Sequence, residues 1–162
     1  MSGLARPTRA QFAGRFAWLM GLYADNYWRL VRVLGPDALA VGGWLSRAGD
    51  GLDLSVEVLE RHPYTLELRL SYLFRDEATG APDPSAHVRM YRDARLAEVS
   101  ACYVGPRLQD VLGLHPEPRA VMQHRLRMNA FLGKWLDYLE DRGHSRFTLR
   151  PAPIEAAPRE AS

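Results

Sequence analysis

The densest set of chemically capable side chains lies in residues 87–99, HVRMYRDARLAEV. His87, Arg89 and Tyr91 alternate with Val88 and Met90, so a strand here puts the three polar side chains on one face. If the chain turns at residues 92–95 and returns, Glu98 joins that face, with Asp93 in the turn itself. An arginine beside a phenol and carboxylates can anchor an anion, and a carboxylate with an imidazole or phenol can move a proton. The same types also make ion pairs on a solvated sheet face, Arg89 with Glu98 and Glu67 with Arg69, each worth about 0.2–1 kcal/mol. Residue types alone favour the ion-pair reading.

Two amides are the other candidates. Asn26 sits beside Tyr23 and Tyr27, and Asn129 beside Met128 and Leu132, each at the rim of an apolar stripe. A buried amide needs partners, so each is expected to cap a strand, fix helix registry or hold a ligand. His62, His87, His115, His124 and His144 are scattered without metal-ligand spacing, and Cys102 is the lone cysteine. The chain has no Gly-rich phosphate loop, nucleophile elbow or H-E-x-x-H motif, so no cofactor or metal is expected.

These residues need elements to position them. Thr8 and Gln11 make a capping-box pattern before Phe16, Leu19, Met20, Tyr23, Tyr27, Leu30, Val31 and Leu34, which recur at helical spacing. Gly35-Pro36 ends that helix, expected over residues 9–34. Period two follows in Leu52, Leu54, Val56 and Val58, and again in Tyr64, Leu66, Leu68, Leu70 and Tyr72, with a turn at residues 61–63. A weaker strand is expected at 41–47, a loop at 75–85, and a second hairpin over 87–103. Residues 105–118 read as a connector with a helical turn near 108–112. A second helix carries Val121, His124, Met128, Phe131, Leu132, Trp135, Leu136 and Leu139 on one face, with Gly143 as its cap. An edge strand is expected within 145–150. The predicted fold is α+β: an antiparallel sheet of four to five strands packed by two long amphipathic helices. Residues 1–8 read as a flexible start, 9–150 as one domain and 151–162 as a disordered Pro/Ala-rich tail.

The chain's 162 residues suffice for one domain with a substantial core. Its 21 basic and 19 acidic side chains leave a net charge of +2, and all the basic ones but Lys134 are arginine. The average hides opposed blocks. Residues 1–34 hold five arginines against Asp25, and residues 119–150 hold seven basic against three acidic groups. Residues 35–118 hold eight basic against thirteen acidic groups. Basic helices over an acidic sheet region can contact nucleic acid through Arg9, Arg32, Arg125 and Arg127. The modest excess, and the lack of an aromatic-interleaved basic strand, favour charge complementarity inside the fold instead. No run of about 18 apolar residues marks a membrane span. The stretch after Arg6, Arg9 and Arg15 mimics a secretory signal but lacks a small-x-small cleavage site, so a cytoplasmic protein is expected.

Three blocks, LMGLYADNYWRLVRVLGP, VRMYRDARLAEV and MNAFLGKWLDYLEDRG, resemble the YqiB-like family of uncharacterised bacterial proteins. In the middle block Val88, Arg89, Tyr91, Asp93, Ala94, Ala97, Glu98 and Val99 match the family pattern. In the last, Asn129, Phe131, Leu132, Trp135, Leu136 and Gly143 do. That pattern carries two acidic residues and a lysine just before the asparagine, where this chain has Gln123, His124 and Arg125. A role for those carboxylates would be missing here. The resemblance implies a bacterial cytoplasmic protein and transfers no activity.

The sequence therefore points first to a non-catalytic binding or adaptor module with a protein partner. A small enzyme or anion-ligand protein using Arg89, Tyr91, Asp93 and Glu98 is the alternative, and weak nucleic-acid binding ranks third.

Overall fold

The computed structural model describes residues 9–49, 52–74, 85–102 and 117–153. Helix α1 spans Arg9–Leu34. Its apolar stripe buries Leu19, Tyr23, Tyr27, Leu30 and Leu34. It ends because Gly35 takes the left-handed conformation at φ 54, its N–H bonding the Val31 carbonyl at 2.9 Å. A side chain there would meet Arg146 at 3.0 Å, so the position needs glycine for both backbone and space. Pro36–Ala38 follows as a single 3-10 turn.

The sheet then forms as β1 (Gly42–Arg47), β2 (Leu52–Arg61), β3 (Thr65–Phe74), β4 (Ser85–Tyr91) and β5 (Leu96–Cys102). Helix α2 spans Pro118–Asp141, and β6 (Leu149–Pro151) closes the fold. The strand order is β5-β4-β3-β2-β1-β6, with every pairing antiparallel. The fold is thus the expected α+β architecture with six strands rather than four or five. The weak strand near residue 42, β1, pairs with β2, and the one near residue 149, β6, pairs with β1 in turn. Strand β6 runs through Pro151, and Ala152 N–H bonds the Gly43 carbonyl at 2.9 Å, so pairing continues past residue 150, where the tail was expected to begin. The expected flexible start, the 75–85 loop over residues 75–84, the 105–118 connector over residues 105–116 and the tail beyond residue 153 lie outside the described residues.

Register turns the alternation of each strand into one apolar layer. Val56 faces Leu70, Val58 faces Leu68, Leu66 faces Met90, and Met90 faces Ala97, all buried. Both helices cover that layer with Leu30, Leu132, Leu136 and Leu139. Beyond β5 the helix pair continues, and Leu19, Tyr23, Met122 and Leu126 make a second small core with Leu96 packed on it. Helix α2 starts one turn earlier than the periodicity implies, because Pro118 supplies a preset φ at its first position. It ends with the His144 N–H reaching back to the Leu139 carbonyl at 3.0 Å around Gly143, which turns His144 into the core.

Where α1, α2 and β5 meet, two fully buried amides close the backbone bonding. The Asn26 side chain donates to the Asn129 carbonyl at 2.8 Å. The Asn129 side chain accepts from Val99 N–H on the outer edge of β5 at 2.9 Å and donates to the Arg125 carbonyl at 2.8 Å. Arg29 donates to the Asn26 side-chain oxygen Oδ1 at 3.1 Å and to the Asp137 carboxylate at 3.0 Å. Gly133 makes this approach possible: a methyl group there would lie 3.0 Å from Asn26 Oδ1 and 3.3 Å from an Arg29 nitrogen.

Asn129→Ala leaves Val99 N–H buried without its acceptor and is expected to cost about 1–3 kcal/mol in urea unfolding. Gly133→Ala would gain about 1 kcal/mol of helix propensity at a slack position. Here overpacking of about 1–3 kcal/mol is expected to reverse that sign, and a stabilised variant would contradict the close approach.

Candidate functional site

The side chains singled out in the sequence fall into three separate places. Arg89, Tyr91 and Glu98 share the sheet face that the helices leave open, since Val88, Met90, Ala97 and Val99 take the covered one. Arg89 stands opposite Glu98 in the β4–β5 register, yet its guanidinium bonds Glu67 on β3, the Nε atom at 2.8 Å. Glu98 instead accepts the Tyr91 hydroxyl at 2.6 Å. Arg69 pairs with Glu57 on β2, not with Glu67, and His87 lies 3.7 Å from Glu67. The expected partners Arg89–Glu98 and Glu67–Arg69 are therefore exchanged for Arg89–Glu67 and Arg69–Glu57. The cause is the β3–β4 register, which sets Glu67 directly across from Arg89.

The electrostatics of this row are those of paired groups. The Arg89 hydrogen bond holds the Glu67 carboxyl below the usual carboxylate range, and Glu67 in turn raises the Arg89 guanidinium. The bond to Glu98, followed by burial, pushes the Tyr91 phenol above its ordinary value. Tyr23 reaches the same neighbourhood from α1, and burial, then the Glu98 charge, raises its phenol too. Both tyrosines stay protonated at neutral pH, so neither offers a base. The row can hold the strands in register, but each acid already faces its cation or donor. Sequence spacing named Glu67 and Tyr23 but did not join them to Arg89, Tyr91 and Glu98, because they come from other elements.

Asn26 and Asn129 are 0% exposed inside the helix–strand junction, where protein groups take their hydrogen bonds. A second polar pair escaped the sequence: Ser46 Oγ lies 2.8 Å from His144 Nδ1 and 2.5 Å from the Thr148 hydroxyl. Ser46 and His144 are each 1% exposed, so this Ser–His contact pins the turn after α2 to β1 and lacks the open approach a nucleophile needs. His124 on α2 is held below its ordinary pKa by burial and then by Arg127. Among the described residues no cluster of three or more His, Cys, Asp or Glu could hold a metal, and no helix is long and apolar enough to cross a membrane.

Asp93 belongs to the third place, at the end of the sheet. It turns away from Arg89 because it sits in the four-residue β4–β5 turn, where its carboxylate accepts the Ala94 N–H at 2.9 Å. Here the chain leaves a concave hollow of about 450 Å³ between that turn, the β2–β3 turn and the C-terminal half of α1. Trp28 and Tyr64 line it at 47% and 66% exposure, with Val31 between the elements. Arg92 is tied to Asp37 at 2.8 Å, while the Arg95 guanidinium lies 5.9 Å over the Trp28 ring. A neighbouring hollow of about 410 Å³ shares Val31 and Asp37 and is walled by Arg146 and Phe147, with the guanidinium 4.7 Å over the ring. Of the residues around this groove, Asp93 alone was singled out by the sequence, and there for a different site.

Residues 29–145 match the model of a family described as a protein of unknown function, DUF1249, and the chain belongs to that family. No curated protein and no solved structure matches it. The match covers strands β1 to β5, all of α2, and Tyr64, Arg92 and Arg95 of the groove, and leaves out β6. Trp28 stands one residue before it, and Arg146 one residue after.

Removing Arg89 tests the open face. Glu67's folded carboxyl lies below its unfolded value, so its stabilising effect is complete above the ordinary carboxylate range and fades as pH falls through the lowered one. In Arg89→Ala, carboxyl NMR titration is expected to show Glu67 returning upward, with folding stability reduced by no more than about 1 kcal/mol at pH 7.

Proposed function

We propose that this chain is a bacterial, cytoplasmic, YqiB-like protein whose domain is a non-catalytic binding module, with the sheet-end groove as its recognition surface. The family placement and the three resembling blocks support the first part. The observation that carries the second is a contrast between two surfaces. On the open sheet face Arg89, Glu67, Arg69, Glu57, Tyr91 and Glu98 bond one another. At the groove, Trp28 and Tyr64 stand in solvent beside Arg95, which rests on a ring rather than against a carboxylate.

Exposed tryptophan, tyrosine and arginine around a concavity are the residue types that anchor protein interfaces. They supply large rigid area at low entropy cost, with polar tips that orient a partner. An enzyme reading needs a base or nucleophile in the hollow, and the groove offers only Asp37, held by Arg92, and Asp93, on its own turn. The groove is also built from segments fixed by the core. Tyr27 beside Trp28 is buried, the Arg92 N–H bonds the Tyr64 carbonyl at 2.7 Å, and Arg61 holds the carbonyls of Pro36, Asp37 and Leu39. A preformed surface loses little ordering entropy on binding.

A photo-cross-linking amino acid at Tyr64 is expected to trap a discrete protein partner in native extract, while the same probe at Arg47 traps none. Trp28→Ala is expected to reduce that adduct at least about tenfold at little cost in stability. Equal labelling from both positions would contradict the groove as the recognition surface.

A further inference from the structure

Resting on the binding-module reading, the geometry points to the class of partner: an extended acidic peptide segment carrying an apolar anchor, its carboxylates on Arg95 and Arg146 and its anchor between Trp28 and Tyr64. The two hollows form one groove because Val31 and Asp37 line both. Each half repeats one device, a guanidinium laid over an aromatic ring: Arg95 on Trp28 and Arg146 on Phe147. A guanidinium drawn to a ring face spends no N–H donor on a hydrogen bond there, so its donors remain available to a carboxylate. Between the two stacks, the Arg92–Asp37 pair neutralises the ridge, so the remaining charge of the floor comes from those two arginines. Asp93 is the one opposing carboxylate on the lining, and it stands on the turn with one oxygen on Ala94 N–H. The exposed rings leave room for an aliphatic or aromatic side chain, and the donors beside them match a peptide's carboxylates.

Backbone conformation gives an independent reason to assign Arg95 a ligand. It is the only non-glycine at positive φ among the described residues, at 54° in the last position of the β4–β5 turn. Glycine or asparagine relieves that position in hairpin turns, and arginine does not. A strained residue kept for its side chain indicates use of that side chain. The backbone itself aims Arg95 across to Trp28 on another element.

A polyanion fits less well. A nucleic-acid backbone would bring a row of phosphates past Asp37 and Asp93, the two carboxylates on the lining. A short peptide need place only one or two carboxylates.

The test uses fluorescence anisotropy with the full chain and three labelled probes: Glu-Asp-Leu-Phe-Glu-Asp, the charge-inverted Lys-Arg-Leu-Phe-Lys-Arg, and a short oligothymidylate. The acidic peptide is expected to bind at least about tenfold more tightly than either other probe, and to weaken with added salt. Arg95→Gly and Arg146→Ser are each expected to weaken it about three- to tenfold. Arg95→Gly is expected to do so with an unchanged or raised Tm, because glycine relieves the turn. Equal affinity for the two peptides, tighter binding of the oligothymidylate, or a lowered Tm with intact binding in Arg95→Gly each overturns the inference. If the acidic peptide fails while Tyr64 still cross-links a partner, the acidic class falls and the groove stands. If both fail, the binding-module reading falls with it.

Discussion

A buried carboxamide ties three elements of this fold together. Asn129 accepts Val99 N–H from the outer edge of β5, while its own carbonyl receives the Asn26 side chain from α1. An edge strand ordinarily presents unpaired backbone groups to other chains. Here a helix side chain satisfies one of them and removes it from solvent. The arrangement sets how far the helix pair overhangs the sheet, and therefore where the second small core and the C-terminal half of α1 come to lie. Gly133 is the steric condition for it, and Arg29 with Asp137 extends it to the surface.

That placement allocates the two surfaces. With both helices on one face, the other carries the Glu–Arg row, whose members bond across strands β2 to β5. The ion pairs between these elements run within layers: Arg29–Asp137 and Arg32–Glu140 join helix to helix, and Arg69–Glu57 and Arg89–Glu67 join strand to strand. Complementarity between a basic helical layer and an acidic sheet, the expected explanation, is not how these pairs form. The end of the sheet differs because turns, not strands, build it. Turn side chains have no facing strand to pair with, so Arg95 reaches Trp28 on α1, Tyr64 stands in solvent, and the hollow between them stays open.

The polar residues of the core and those of the surface differ in what they can afford to leave unbonded. Asn26, Asn129, Ser46 and His144 are enclosed by apolar side chains, where an unbonded polar atom costs more than a bond gains. Their hydrogen bonds are accordingly internal, and their contribution is specificity of packing. Arg95 and Arg146 keep water for their donors, so the ring stacks orient them without using their hydrogen-bonding capacity.

Hydropathy and spacing determined much of this protein. Leu19, Tyr23, Leu30 and Leu34 mark α1; Gly35-Pro36 ends it; the alternations around Val56, Leu68, Val88 and Val99 name the covered sheet face; and Leu132 to Leu139 mark α2. Those features are local, and a period of 3.6 or 2 expresses them within a few residues. The strands at residues 42 and 149 were fainter, because each is short, β1 depending on its pairing with β2 and β6 on its pairing with β1. Partner choice was not legible. Arg89 with Glu67 is 22 residues apart, and Asn26 with Asn129 is 103 apart, so only strand order and helix docking bring them together. For the same reason the residues 87–99 looked like one site in sequence yet divide in space, with Asp93 carried by its turn to a groove whose other walls come from α1, the β2–β3 turn and the segment after α2. The sequence determined which faces are apolar, because burial is a property of each side chain; only the tertiary structure decided which polar groups meet and which face solvent, because that depends on elements far apart along the chain.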